Sequence, residues 1–266
     1  MTDWDDAYAN GAYIAGADDF PPRWAERAAD WRSVEHAIGR ARLNLSYGEG
    51  ARNRLDLFLP AGRPTGLVVF VHGGYWRAFD NKSWSHLAAG ATARGWAVAM
   101  PCYTLAPEAR ISEITQEVRQ AAEKAATLVE GPIVLAGHSA GGHLVARMLC
   151  RDVALSKDVE DRLQRVVPIS PLCDLRPLLN TTMNEDFQMD TAEAEAESPM
   201  LEKTPRDIPV TVWVGGDERP VFLDQARWLA EAWPRAELHI ADGLHHFNVI
   251  DGLEEPDSPL TNALLA

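Results

Sequence analysis

The apolar positions of this chain fall into short runs that recur along its length. Leu67-Val68-Val69-Phe70-Val71 is unbroken, and reads as a strand covered on both faces at the centre of a parallel sheet. Trp96-Ala97-Val98-Ala99-Met100, Pro132-Ile133-Val134-Leu135-Ala136, Val166-Val167-Pro168-Ile169 and Val210-Thr211-Val212-Trp213-Val214 repeat the signal. Ala236-Glu237-Leu238-His239-Ile240 offers one more strand. Upstream, Arg54-Leu55-Asp56-Leu57-Phe58-Leu59 alternates and stops at Pro60, as a strand does. Between the runs the period changes. Ile114, Val118, Ala121, Ala122 and Ala125 share one side of a helix over 112–128, and further helical stretches begin near Ser83 and run from Gly141 to Cys150. Strand, turn and helix alternate, which predicts the α/β class with a mostly parallel central sheet flanked by helices.

Two intervals break this rhythm. Residues 1–42 carry Trp4, Tyr8, Tyr13, Phe20, Trp24 and Trp31 among acidic and small residues, with helical character from Trp24 to Arg42. An N-terminal arm or helical extension of this kind is expected to lie over the body, since its rings would otherwise expose apolar area. Residues 172–203, with the acidic stretch 186–197, read either as a small cap inserted over the sheet or as a solvated excursion. The 266 residues suffice for one substantial core, so 1–266 is expected to form a single domain.

Composition narrows the setting. Hydrophobic residues are 46% and charged residues 24% of the chain, as in a globular protein. A net charge of −14 argues against unspecific attraction to nucleic acid or to anionic membranes. There is no apolar run long enough for a membrane span, and the acidic start Met1-Thr2-Asp3-Trp4-Asp5-Asp6 lacks the pattern of a secretory signal, so a cytoplasmic location is the expectation. Cys102, Cys150 and Cys173 are too widely spaced for a CxxC site and read as buried thiols. The aromatic arm fits its own domain or a second subunit equally well, so the oligomeric state is not legible.

The chemistry concentrates at strand ends. Gly137-His138-Ser139-Ala140-Gly141 follows an apolar strand and precedes a helix, the context in which a G-x-S-x-G turn exposes a nucleophilic serine. The flanking glycines matter because the turn is tight and strained. Gly142 extends the close-approach surface, and His143 reads as a packing group. His72-Gly73-Gly74-Tyr75-Trp76 ends an earlier buried strand. There, Gly73 and Gly74, with Ala140 just past the serine, can aim backbone N–H groups at a developing oxyanion. Serine needs a base, and His245 and His246 are adjacent candidates that spacing alone does not separate. Asp217, at the end of a strand-like run, is the expected orienting acid, with Glu218 and Asp224 as competitors.

Together, His72-Gly73-Gly74-Tyr75-Trp76-Arg77, Lys82, the elbow through Leu144, Gly216-Asp217-Glu218 and His246-Phe247 resemble the kynurenine formamidase or arylformamidase branch of the esterase/lipase α/β-hydrolases. The resemblance covers roughly 55–250, and hormone-sensitive-lipase-like esterases share the HGG and GxSAGG features. It implies the α/β-hydrolase fold, Ser139 as nucleophile, Asp217 as acid, His246 as base, and an oxyanion hole from Gly73, Gly74 and Ala140. It implies no metal and no organic cofactor, and leaves His72 to order the oxyanion loop. Tyr75, Trp76 and Phe247 are candidates for an aromatic substrate pocket or for loop packing. Arg77 either attracts a carboxylate or forms a surface ion pair. The implied substrate is a small aryl formamide such as N-formylkynurenine, cleaved through an acyl-serine. The alternatives are a carboxylesterase acting on short-chain or aryl esters and, more remotely, a non-enzymatic binding protein.

Overall fold

The computed structural model describes residues 2–266. Eight strands, β1 (Ala41–Ser46), β2 (Arg54–Phe58), β3 (Leu67–Val71), β4 (Ala97–Pro101), β5 (Ile133–His138), β6 (Leu163–Ile169), β7 (Val210–Gly215) and β8 (Ala236–Ala241), form one sheet in the order β1-β2-β4-β3-β5-β6-β7-β8. The helices are α1 (Trp4–Ala7), α2 (Phe20–Ala37), α3 (Ala89–Ala93), α4 (Ile111–Ala126), α5 (Ala140–Arg147), α6 (Lys157–Arg162), α7 (Asn184–Phe187), α8 (Thr191–Ala196), α9 (Pro220–Ala232) and α10 (Pro259–Leu264). Strands β1, β2 and β4 pair antiparallel, and from β4 to β8 every pairing is parallel. The unbroken apolar runs became the central strands: every residue of β3, β4 and β5 is buried. Each Val, Leu, Ile, Phe or Met among them contributes on the order of 1.5–3 kcal/mol by leaving water.

A parallel sheet puts all its strand ends of one kind along one edge. The turns after β3, β5 and β7 therefore meet there, which is where open α/β sheets gather their chemistry. Helix α4 explains itself through its apolar side, with Ile114, Val118, Ala121, Ala122 and Ala125 all buried.

The N-terminal segment departs from expectation in its bounds. Helix α2 starts at Phe20, four residues before Trp24, because Pro21 and Pro22 occupy first-turn positions where no intrahelical N–H is needed. It stops at Ala37, and β1 begins at Ala41, inside the interval read as an arm. Trp24 and Ala28 are buried beneath α2, while Arg32 donates to Ser85 Oγ at 2.8 Å and to the Lys82 carbonyl.

Residues 172–203 fold as short helical turns, including α7 and α8, rather than as extended chain. The acidic stretch is largely neutralised: Asp186 pairs with Arg77 at 2.6 Å, Glu193 with Arg110, and Glu197 with Arg147 at 3.0 Å. The last pair is buried, so its attraction is offset by desolvation and it fixes geometry more than it adds stability. All three cysteines are free and buried. Among the described residues no helix is long and apolar enough to cross a membrane.

Candidate active site

Ser139 stands between the last residue of β5 and the first of α5, with φ 55° and ψ −117°. A non-glycine residue in this region is strained, and the surroundings must hold it there. They do so through backbone contact. The Ser139 N–H donates to the Ile169 carbonyl at 2.8 Å. A Cβ on Gly137 would lie 2.3 Å from the Gly141 carbonyl oxygen, and one on Gly141 would lie 2.0 Å from the Val71 oxygen. The motif's glycines are thus steric requirements of helix α5 crossing β3 and β5.

His246 lies in the turn after β8, and its Nδ1–H donates to Glu218 Oε2 at 2.6 Å. The other oxygen of Glu218 accepts from the Gly215 N–H at 2.9 Å and from the Ser170 hydroxyl. The Glu218 side chain is fully buried. Asp217, the acid expected from sequence, is exposed and makes no hydrogen bond to His246. The physical reason lies in the turn that ends β7. Asp217 donates its N–H to the Leu244 carbonyl at 3.0 Å, which fixes the backbone so that the following residue enters the interior. The Glu218 chain, one methylene longer, then spans the gap to the imidazole. Of the two histidines, His246 is buried and lines the same cavity as Ser139. The His245 ring packs instead on Phe20 at 5.5 Å, and its Nδ1 accepts from the Phe247 N–H.

The loop after β3 brings Gly73 against the serine: a Cβ there would sit 3.1 Å from Ser139 Cβ and 2.9 Å from the His138 oxygen. Gly74 lines the cavity with φ +109°, and Tyr75 and Trp76 follow at +50° and +55°. Such conformations cost about 1–3 kcal/mol each for residues with a Cβ. His72 braces the loop by donating from Nδ1 to the Gly73 carbonyl at 2.8 Å. Its ring stacks on Tyr103 at 4.2 Å, and the Tyr103 hydroxyl donates to the His72 carbonyl. Burial pushes the His72 imidazole down to about 4, so it is neutral at physiological pH. His138 is also buried, its ring 4.6 Å from that of His246, and burial drives it well below the ordinary histidine range.

These groups open onto a cavity of about 450 Å³. Tyr75 and Phe247 line it, but Trp76 does not. The Trp76 indole is completely buried and packs edge-on against His143 at 5.1 Å and Phe187 at 5.6 Å, so it anchors the loop to the interior. Arg77 is held by Asp186, and Lys82 by the buried Asp56 at 2.6 Å. Several walls went unassigned in the sequence. Tyr8, Asn10 and Trp24 come from the N-terminal segment, and Phe79 and Trp84 from beyond the glycine loop. The aromatic richness of the first forty residues was the only signal pointing to some of them.

Comparison with known proteins agrees with this architecture. A family profile described as α/β hydrolase fold matches residues 68–221, more than half of the chain. The chain is 29% identical to a kynurenine formamidase of Salmo salar, over 87% of this chain and 84% of that one. It is 28% identical to the kynurenine formamidase of Danio rerio, over 92% of each. Among solved structures, a protein of Silicibacter sp. TM1040 described as a candidate thioesterase is 62% identical over the full length of both chains, with a TM-score of 0.97. An esterase of the archaeon Pyrobaculum calidifontis, 20% identical, shares the fold with a TM-score of 0.71 over 93% of this chain and 92% of its own. The profile match over more than half of the chain leads to one conclusion: the chain belongs to the α/β-hydrolase fold family.

Proposed function

We propose that the protein is a serine hydrolase that takes a small acyl group from an aryl or short-chain ester onto Ser139 and then passes it to water. The observation that carries this reading is that Ser139 and His246 face one apolar cavity while Glu218 sits 2.6 Å behind His246. With Nδ1 committed to Glu218, the proton-accepting nitrogen of His246 is Nε2. In the reaction, Ser139 Oγ attacks the carbonyl carbon as Nε2 takes the hydroxyl proton. Glu218 holds the ring and balances the imidazolium that forms. The N–H groups of Gly73, Gly74 and Ala140 receive the developing oxyanion, a contribution of roughly 3 kcal/mol per donor in sites of this kind. His246 then returns the proton to the leaving oxygen. Water, deprotonated by His246, releases the acyl group from Ser139. Thr182 and Met183, from the 172–203 interval, line the cavity, which supports a cap role for that interval in admitting substrate.

A second substrate, an aryl formamide, is favoured by the kynurenine formamidases that match over nearly their whole length. Nitrogen attached to an aromatic ring leaves more readily than an alkyl amine, because its lone pair delocalises into the ring. The same acyl-serine route therefore serves both. The test is a panel of p-nitrophenyl acetate, phenyl formate, an acyl thioester, formanilide and N-formylkynurenine, with purified enzyme and its Ser139→Ala variant. Ester turnover that disappears in the variant is the expected result. Equal turnover by both proteins would overturn the reading, and formanilide turnover decides whether formamides join the substrate class.

A further inference from the structure

We infer that the cavity at Ser139 selects its substrate by charge: it favours an aryl ester that carries an ammonium group and discriminates against one that carries a carboxylate, with Asp5 at the rim setting the sign. The inference rests on the Ser139–His246 reading above and narrows the substrate class of that same site. Among the described residues, Asp5 is the one carboxylate along the cavity wall, and no lysine or arginine lines it. Asp5 is exposed and lies on α1, in the N-terminal arm. Its Oδ1 accepts from the Thr182 N–H at 2.8 Å and from the Thr182 hydroxyl at 3.0 Å. Thr182 lines the cavity as well, so the carboxylate is fixed where the arm meets the 172–203 interval.

The charges around the site leave that of Asp5 uncancelled. Of the neighbouring acids, Asp3 caps α1 through the Asp6 N–H, and Asp6 is held by Arg219. The cations are engaged elsewhere. Arg77 pairs with Asp186, and Lys82 with Asp56. The Arg219 guanidinium lies over the Tyr13 ring at 3.5 Å, and Arg52 donates to the carbonyls of Tyr103 and Phe79 without lining the cavity.

A carboxylate carried into this cavity would therefore leave water and meet no positive partner. An ammonium leaves water too, but it meets the field of Asp5 and a wall of aromatic rings. Trp24, Phe79, Trp84 and Phe247 line the cavity and touch one another, with ring centroids 5.0–6.1 Å apart. Such rings attract a cation through their quadrupole and offer an anion no equivalent. Attraction to Asp5 acts across the cavity mouth and requires no direct contact. The attack of Ser139 on the ester carbon is the same whatever the remote charge, so selection falls on capture.

The test uses three phenyl acetates whose para substituent is a trimethylammonioethyl group, its uncharged tert-butylethyl isostere, or a carboxyethyl group. The ethylene spacer keeps the leaving groups alike in reactivity. At low ionic strength, kcat/KM is expected to be about threefold higher for the cation than for the isostere and about tenfold lower for the anion. Salt at roughly 0.5 M shortens the screening length and compresses both differences. Asp5→Asn keeps the oxygen that accepts from Thr182 and removes the charge. It is expected to narrow the cation-to-anion ratio about fivefold, a readout that a merely structural role would not move. The wild-type series needs no substitution, so it decides even where Asp5→Asn disturbs folding. Equal kcat/KM for the three esters, or a preference for the anion, would overturn charge selection and leave the esterase reading intact. A ratio unchanged in Asp5→Asn would overturn the role of Asp5. Absence of turnover on all three esters by wild type removes the esterase reading itself, and this inference with it.

Discussion

Nδ1 of His246 and Oε2 of Glu218 lie 2.6 Å apart, and the carboxylate is fully buried behind the ring. The neighbouring Asp217 points to solvent. Two adjacent acids therefore have opposite fates. Glu218→Gln, which keeps shape but loses the charge and the acceptor pair, is expected to lower kcat about a thousandfold or more, while Asp217→Asn stays within about threefold. Steady-state kinetics on an aryl ester separates the two, and the opposite ranking would return the acid role to Asp217.

The elbow glycines give a steric prediction. Gly141→Ala forces a Cβ to 2.0 Å from the Val71 oxygen, backbone against backbone. The loss of stability is expected to be about 3 kcal/mol or more, with soluble yield falling accordingly. Gly243 is the control. It has φ +73° but nothing within 4 Å of an added Cβ, so its alanine variant costs only about 1–2 kcal/mol. Urea denaturation of the two variants measures the difference.

Buried histidines set an acid limit on stability. Burial pushes His72 and His86 down to about 4 and His143 to about 3, each below the ordinary histidine value. An unfolded histidine takes up its proton near about 6.5. Below that pH the unfolded chain binds more protons than the folded one, so this contribution is complete above pH ~6.5 and is lost as pH falls towards ~4. The urea midpoint is expected to be level from neutrality down to that upper value and to drop below it. A midpoint that rises on acidification through this window would contradict the buried, neutral state of these rings.

The arm lines the site through Tyr8 and Asn10 and is tied down by Asp6 and Arg219. Both partners keep some solvent access, so the pair is worth little to global stability. Its effect is expected to be local. Asp6→Ala should raise KM for an aryl ester about threefold, with kcat less affected, and speed amide exchange in residues 5–13. Unchanged exchange there would show that the remaining contacts hold the arm without Arg219.

The fold was legible because central strands of a parallel sheet are apolar on both faces, and Leu67–Val71 and Ile133–Ala136 could be read directly. Ser139 was legible for a related reason: the glycines around it answer a steric demand that few other turns make. The carboxylate that meets His246 was not, since Asp217 and Glu218 are chemically alike and which of them turns inward is decided by the folded turn after β7. For Trp76 the sequence left pocket lining and loop packing open, because its place after the glycine loop does not say which way the ring turns; the indole packs inward on Phe187. Strand β1 alternates Ala41, Leu43 and Leu45 with Arg42, Asn44 and Ser46 as an edge strand does, but the helical pattern read over 24–42 overlaps its start. That Tyr8 and Asn10 wall the cavity depends on long-range docking of the arm, which no local pattern encodes.

The most direct measurement is covalent labelling of the native enzyme with a fluorophosphonate, followed by peptide mass spectrometry. The expected result is a single adduct on Ser139, absent from Ser139→Ala and much slowed in Glu218→Gln. An adduct on another residue, or labelling that persists undiminished in Ser139→Ala, would contradict a nucleophilic Ser139 served by His246 and Glu218.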